Sequence, residues 1–176
     1  MATAQPTPAE IPGRLLDDSF LKFLPAPLRE PRRVWLAILT GWLLSLAGSL
    51  ALATLVGTVA PELAKPDFNG INGMTAIFLL VIFSPLLESL IMGGILVILQ
   101  RFLSPAAAII SSALLWGAAH SIGALSWGFT IWWPFLIFST LFVVWRQHGF
   151  WAGVGVAAAA HALQNLGPGL VVAGYL

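Results

Sequence analysis

Long apolar runs constrain the fold of this chain more than any other feature. Residues 34–59 contain no Asp, Glu, Lys, Arg or His, and residues 74–99 contain a single charged residue, Glu88. A helix of about 20 apolar residues is long enough to cross the hydrocarbon core of a bilayer. Backbone N–H and C=O groups in lipid must bond within the protein, and runs of this length satisfy them as helices. The sequence therefore predicts an all-α, polytopic transmembrane helical bundle with about five membrane segments.

Composition agrees with this prediction and excludes several classes of function. Hydrophobic residues make up 59% of the chain and charged residues 9%, against about 25% charged residues in soluble domains. We therefore expect an integral membrane protein with the lipid bilayer as its surroundings. The net charge of +1 provides no basic surface, so nucleic acid is excluded as a partner. The absence of cysteine excludes disulfides, thiolate metal sites and cysteine nucleophiles.

Charge and proline divide the chain into two parts. Residues 1–33 are predicted to be a cytoplasmic tail, in which residues 14–24 form either a short interfacial helix or a loosely ordered linker. Residues 34–176 are predicted to be a transmembrane helical domain. Its five apolar segments cover residues 34–59, 74–99, about 104–125, about 129–144 and 150–166. The sequence Gly167-Pro168-Gly169 is expected to end the fifth helix.

The arginines predict the orientation of these segments. They lie in the N-terminal flank and in the turns at residues 100–104 and 145–149, whereas the intervening loops carry Lys65 offset by two acids, or no charge. Cytoplasmic loops of membrane proteins are enriched in Lys and Arg. We therefore expect an integral inner (cytoplasmic) membrane protein with its N-terminus in the cytoplasm and its C-terminus outside.

Glu88 is the one acidic residue within the apolar segments. A carboxylate in hydrocarbon costs a few kcal/mol or more unless it is paired, protonated or facing a wet cavity. His120 and His161 lie in later segments, and a rise of 1.5 Å per residue from the expected cytoplasmic ends puts all three at depths of roughly 16–23 Å. Asn165 follows His161 by one helical turn and projects from the same face. We expect these four residues to meet within the bundle.

A carboxylate, two imidazoles and an amide in a pocket of low dielectric constant can catalyse hydrolysis. Glu88 is predicted to act as a general base on a water, and His120 to orient that water or share its proton. His161 and Asn165 are predicted to donate hydrogen bonds to a developing oxyanion. The same side chains suit a divalent metal such as zinc, so the identity of any cofactor stays open.

Other chemistries for hydrolysis in a membrane find no support in the sequence. It has no H-E-x-x-H motif for a zinc protease, no aspartate within an apolar segment, and no G-x-S-x-G elbow for a serine nucleophile. Ser84, Ser111 and Ser112 are expected to bond to helix carbonyls. A buried histidine often serves only packing, so a structural role for the whole set is the alternative to catalysis.

Three short motifs occur in order between residues 74 and 167: P-L-L-E-S-L-I-M-G-G, W-G-A-A-H and H-A-L-Q-N. They resemble the motifs of the CPBP (Abi) family of membrane proteins, which contains CAAX prenyl endopeptidases and bacteriocin-processing proteins. The family pattern is Glu-Glu-x-x-x-Arg, then Phe-x-x-x-His, then His-x-x-x-Asn or Asp. Glu88 and His120 match the residues that activate water in that family, and His161 with Asn165 match its oxyanion site.

The resemblance implies an intramembrane glutamate-type endopeptidase that acts on membrane-anchored or lipidated peptides. Three positions depart from the family pattern, since the second glutamate, the arginine and the phenylalanine are replaced by Ser89, Gly93 and Trp116. Ser89 and Gly93, together with the small size of the chain and its exposed aromatic spans, favour the alternative, a catalytically inactive scaffold or assembly subunit whose partners are other subunits of a membrane complex. In a pigment-contacting variant of that alternative, a macrocycle would approach His161 over Ala157, one turn earlier.

Overall fold

The structure, a computed structural model, describes residues 15–176, and this part of the chain is helical with no strand. Five long helices, α1 to α5, cover Val34–Val59, Gly73–Leu99, Pro105–Gly123, Leu125–Trp145 and Phe150–Val172. The first three, and α4 taken with the turn that follows it, are long and apolar enough to cross a membrane. The fifth is long but carries polar residues, among them His161 and Asn165. The prediction of an all-α transmembrane bundle is confirmed.

Helix α4 is the central element of the bundle. It packs against α1, α3 and α5, and 67% of its most apolar stretch is buried, against 22% for α1 and 33% for α2 and α3. Its buried face carries Phe135, Phe138, Leu141 and Phe142. The outer helices expose many large apolar side chains, as expected for surfaces that face lipid.

The described part of the N-terminal segment is tied to one end of this bundle. Leu16, Leu21, Leu24 and Leu28 are buried in the same core as the long helices. The backbone forms a 3-10 helix over Phe20–Phe23 and one helical turn over Ala26–Arg29, in place of a longer interfacial helix. Residues 1–14 of the predicted tail, which was expected to cover residues 1–33, lie outside the described residues.

Helix α5 continues through Pro168, so the prediction that Gly167-Pro168-Gly169 ends it is wrong. Close packing against α2 provides the physical reason. A Cβ atom at Gly169 would lie 2.5 Å from Val81 Cγ2, so a glycine is needed for the two helices to approach this closely. Beyond the proline, the Gly73 N–H at the start of α2 donates to the Ala173 carbonyl at 3.2 Å. These contacts hold the last turn in place despite the lost backbone donor.

Helices α1 and α4 are in close contact where Trp133 lies on Gly48. The Trp133 Nε1–H donates to the Leu44 carbonyl at 2.8 Å, which satisfies an indole in an apolar setting. A Cβ atom at Gly48 would lie 2.0 Å from that nitrogen. The absence of a side chain at Gly48 therefore makes this contact between α1 and α4 sterically feasible.

We expect Gly48→Ala to lower the free energy of unfolding by about 1–3 kcal/mol, because the added methyl group displaces Trp133 from α1. The measurement is the thermal unfolding midpoint of the purified protein in detergent. Gly57→Ala on the same helix is the control, since nothing lies within 4 Å of its Cβ position. Alanine favours helix over glycine by about 1 kcal/mol, so this control should be as stable as the native chain or more so. Equal midpoints for the two variants would contradict the packing argument.

Candidate functional site

Glu88 lies between two histidines in the interior of the bundle. Its Oε2 atom is 4.0 Å from Nε2 of His120 on α3 and 4.0 Å from Nε2 of His161 on α5. The three side chains are 20%, 12% and 6% exposed. The meeting of these groups from three helices, expected from their depths in the sequence, is therefore confirmed.

Ser84 holds the other carboxylate oxygen of Glu88. Its hydroxyl donates to Glu88 Oε1 from one helical turn earlier on α2. The expectation that Ser84 bonds to a helix carbonyl is therefore wrong, because a nearby carboxylate is a stronger acceptor than a carbonyl that already pairs within the helix. The one-turn spacing between the two residues was the signal in the sequence that identifies this pair.

The tautomer of His120 follows from its hydrogen bond. Its Nδ1 atom lies 2.8 Å from the carbonyl oxygen of Trp116, one turn earlier on α3. A carbonyl only accepts, so Nδ1 carries the proton and donates it. In the neutral ring Nε2 is then unprotonated and presents a lone pair toward Glu88.

His161 is the most buried of the three groups. Its ring stacks on Phe138, with centroids 4.6 Å apart and planes at 21°, and meets Phe135 edge-on at 5.4 Å. Its Nδ1 atom has no hydrogen-bond partner among the described residues. We assign the proton to Nε2, because an unpaired lone pair costs less than an unpaired N–H and because Nε2 faces the carboxylate.

Aromatic rings enclose the two imidazoles. The Trp116 ring stacks on Phe135 at 4.5 Å, and Trp127 meets the ring of His120 edge-on at 4.6 Å. Three of the enclosing rings, those of Trp127, Phe135 and Phe138, lie on α4. The sequence predicted an apolar membrane segment here but did not indicate that its rings would cover the histidines. The low-dielectric walls strengthen every electrostatic interaction between the enclosed groups.

Asn165 lies one turn beyond His161, but its amide is engaged elsewhere. Its Nδ2 donates to the Leu80 carbonyl of α2 at 3.0 Å. Residues Phe78–Phe83 form a π-helical turn in which the Ser84 N–H reaches back five residues to the Leu79 carbonyl. In the same five-residue pattern, the N–H of residue 85 would bond to the Leu80 carbonyl. Residue 85 is a proline and has no N–H, so that carbonyl lacks a backbone partner. Asn165 replaces that partner and joins α5 to α2.

Ser89 and Gly93, the two positions on α2 that depart from the family pattern, are both closely packed. The Ser89 side chain is fully buried, and its hydroxyl has no hydrogen-bond partner within residues 15–176. A Cβ atom at Gly93 would lie 2.6 Å from Cε2 of Phe142 on α4. The ring of Phe142 therefore occupies the space that an arginine side chain at position 93 would need to enter.

The distances between Glu88 and the two histidines bear on whether the site binds a metal ion, a question that the sequence left open. In the described part of the chain, no group of three or more His, Cys, Asp or Glu side chains is arranged to hold a metal ion. Two ligands of a tetrahedral zinc lie roughly 3.4 Å apart, whereas Glu88 Oε2 is 4.0 Å from each imidazole. Two groups that bond to one water lie roughly 4–5 Å apart. The site therefore suits a shared water better than a shared metal.

Comparison of the chain with protein-family models, with curated proteins and with solved structures finds no match. The likeness to the CPBP family thus consists of the three sequence motifs quoted above. The meeting of the Glu88 carboxylate with imidazoles from two other helices is a structural observation that does not depend on this likeness.

We expect Asn165→Ala to destabilise the protein by about 0.5–2 kcal/mol, because it leaves the Leu80 carbonyl unpaired in an apolar setting. Thermal unfolding in detergent measures this effect. Asn165→Asp, which keeps the volume but offers no N–H donor when ionised, should be at least as destabilising. Unchanged unfolding midpoints in both variants would show that the bond to Leu80 contributes nothing to stability.

Proposed function

We propose that this membrane protein is an intramembrane hydrolase in which Glu88 and His120 activate a water to cleave a peptide bond. The single observation that carries the proposal is the distance of 4.0 Å from Glu88 Oε2 to Nε2 of both His120 and His161. Such a gap is wide enough for one water to bond to the carboxylate and to an imidazole together. The substrate class is a membrane-anchored or lipidated peptide, because the three residues lie on helices within the apolar bundle.

Each group has a defined part in the proposed reaction. A water donates one hydrogen bond to Glu88 Oε2 and the other to the lone pair on Nε2 of His120. Glu88 removes a proton as the water oxygen attacks the carbonyl carbon, and the electron pair of the carbonyl moves onto its oxygen. His161 Nε2–H donates a hydrogen bond to that oxyanion. The C–N bond then breaks, and the leaving nitrogen takes the proton held by Glu88.

Ser84 and the aromatic rings support this chemistry. The Ser84 hydroxyl bonds to Oε1 of Glu88, which leaves Oε2 as the oxygen directed at the histidines. The bond from His120 Nδ1 to the Trp116 carbonyl fixes the tautomer that leaves Nε2 free to accept. Positioned groups of this kind accelerate reactions because they need little reorganisation in the transition state.

The proposal includes an orientation in the inner membrane. With the N-terminus in the cytoplasm, Arg101 and Arg146 also lie on the cytoplasmic side, in agreement with the bias of positive charge toward that side. Arg146 Nη1 donates to Gln100 Oε1 at 2.8 Å, so the C-terminal ends of α2 and α4 lie together, which supports the same side for both arginines. Substrate peptides would then meet Glu88 near the middle of the bundle.

A second candidate function is that of a catalytically inactive scaffold or assembly subunit in a larger membrane complex. The observation that favours it is the filling of the site by apolar packing: Phe142 covers Gly93, and Phe138 stacks on His161. Burial argues against a pigment on His161, because a macrocycle needs an accessible ring nitrogen and the His161 side chain is only 6% exposed. In this reading Glu88 and the histidines stabilise helix packing, and other membrane-protein subunits are the partners.

We expect Glu88→Gln and His120→Gln each to reduce peptide hydrolysis by about 10²-fold or more, since each removes a proton acceptor from the water. The assay uses the purified protein in detergent or liposomes with fluorogenic prenylated and unmodified hydrophobic peptides. Glu62→Gln and His148→Gln are matched controls outside the site and should keep native rates.

Three outcomes separate the candidates. Loss of hydrolysis in the site variants alone supports the hydrolase. Hydrolysis at the native rate in folded Glu88→Gln protein would overturn the assignment of the base. A native chain without activity, whose site variants keep its cellular function but unfold at lower temperature, would favour the scaffold.

A further inference from the structure

A cleft of about 530 Å³ opens at the C-terminal end of α1. Its walls are the last turns of α1, the loop that follows and the first turns of α4, and the lining includes Val56, Gly57, Leu63, Lys65, Trp127 and Thr130. The volume lies within the range of roughly 300–1,000 Å³ that small-molecule sites occupy. Glu88 is not among its lining residues, so the cleft is separate from the candidate site.

Lys65 is the one charged residue in the lining of this cleft. The hydroxyl of Ser126 donates to the Ala64 carbonyl at 2.6 Å, and that of Thr130 donates to the Trp127 carbonyl at 2.9 Å, so both are engaged within the protein. The carboxylate of nearby Asp67 accepts hydrogen bonds from the backbone and side chain of Asn69, both at 2.8 Å. Glu62, the other acid of this loop, does not line the cleft, so the Lys65 ammonium is the group through which the cleft can attract an anionic ligand.

The polarity of the cleft changes along its length. Its inner part is formed by small apolar residues of α1, among them Ala53 and Gly57, whereas Lys65 and Pro66 lie in the loop beyond the helix. The end of a membrane helix is where hydrocarbon gives way to lipid head groups. A ligand with an apolar chain and an anionic head matches this gradient.

We propose that the cleft binds one acyl chain of an anionic phospholipid, with the phosphate at Lys65 and the chain along α1 past Gly57. Gly57 provides the room for that chain, because nothing lies within 4 Å of its Cβ position. Trp127 forms the wall between the lipid and the candidate site, since its ring also meets that of His120 edge-on at 4.6 Å. The bound lipid thus packs against the ring that covers His120. Binding of the lipid does not depend on hydrolysis at Glu88.

The test is lipid binding to the purified protein in detergent, followed by native mass spectrometry with dioleoyl phosphatidylglycerol and dioleoyl phosphatidylcholine as probes. One lysine near a membrane surface favours an anionic lipid by about 1 kcal/mol, so the native chain should bind the first phosphatidylglycerol roughly fivefold more tightly. Lys65→Gln, an exposed substitution, should equalise the two lipids. Gly57→Phe should weaken both by filling the cleft.

Gly155→Phe on α5 is the matched control, because it also adds a ring at an open helical glycine but lies away from the cleft. It should bind both lipids as the native chain does. The proposal is overturned if Gly57→Phe and Gly155→Phe bind lipid equally, or if Lys65→Gln keeps the preference for phosphatidylglycerol. Equal binding of the two lipids by the native chain would also overturn it and would indicate an uncharged amphiphile as the occupant. Should Gly57→Phe fail to fold, the Lys65→Gln comparison decides.

Discussion

The cost of placing a carboxylate in hydrocarbon governs the interior of this protein. Glu88 can stay there only with partners, and the bundle provides them from three sides: a serine on its own helix and one histidine on each of two others. This requirement fixes how α2, α3 and α5 turn relative to one another, because each must direct one polar group inward. The polar centre thus specifies the packing of an otherwise apolar bundle.

Helix α4 makes this arrangement possible without contributing a charge. It packs against α1, α3 and α5, and its phenylalanines fill the space beside the imidazoles. Aromatic rings are large, rigid and free of donors that need partners, except for the indole N–H of tryptophan. They can therefore hold two histidines in fixed orientations while leaving their Nε2 atoms directed at the carboxylate.

Sequence patterns predicted the helices and the meeting of Glu88 with the two histidines, because apolar length and depth along a helix are regular quantities. They failed where tertiary contacts override local rules. Pro168 does not end α5, since Gly169 packs against α2, and Asn165 bonds to a carbonyl that only the π-helical turn leaves free. The spacing of four residues between Ser84 and Glu88 is that of neighbours on one helix face, so their hydrogen bond could have been predicted. The general tendency of helical serines to bond to carbonyls led to the wrong acceptor.

The π-helical turn of α2 has a consequence for the evolution of this chain. A π-helical turn holds one residue more than an α-helical turn, and one residue corresponds to a rotation of roughly 100° about the helix axis. Leu80 and Val81 in this turn face α5, and Glu88 beyond it faces the histidines. The widened turn takes up its extra residue without rotating the helix beyond it, so loss of one residue there would restore a regular α-helical turn and keep Glu88 directed at the histidines. Elsewhere in α2 the same deletion would rotate Glu88 by roughly 100° relative to the part that packs on α5.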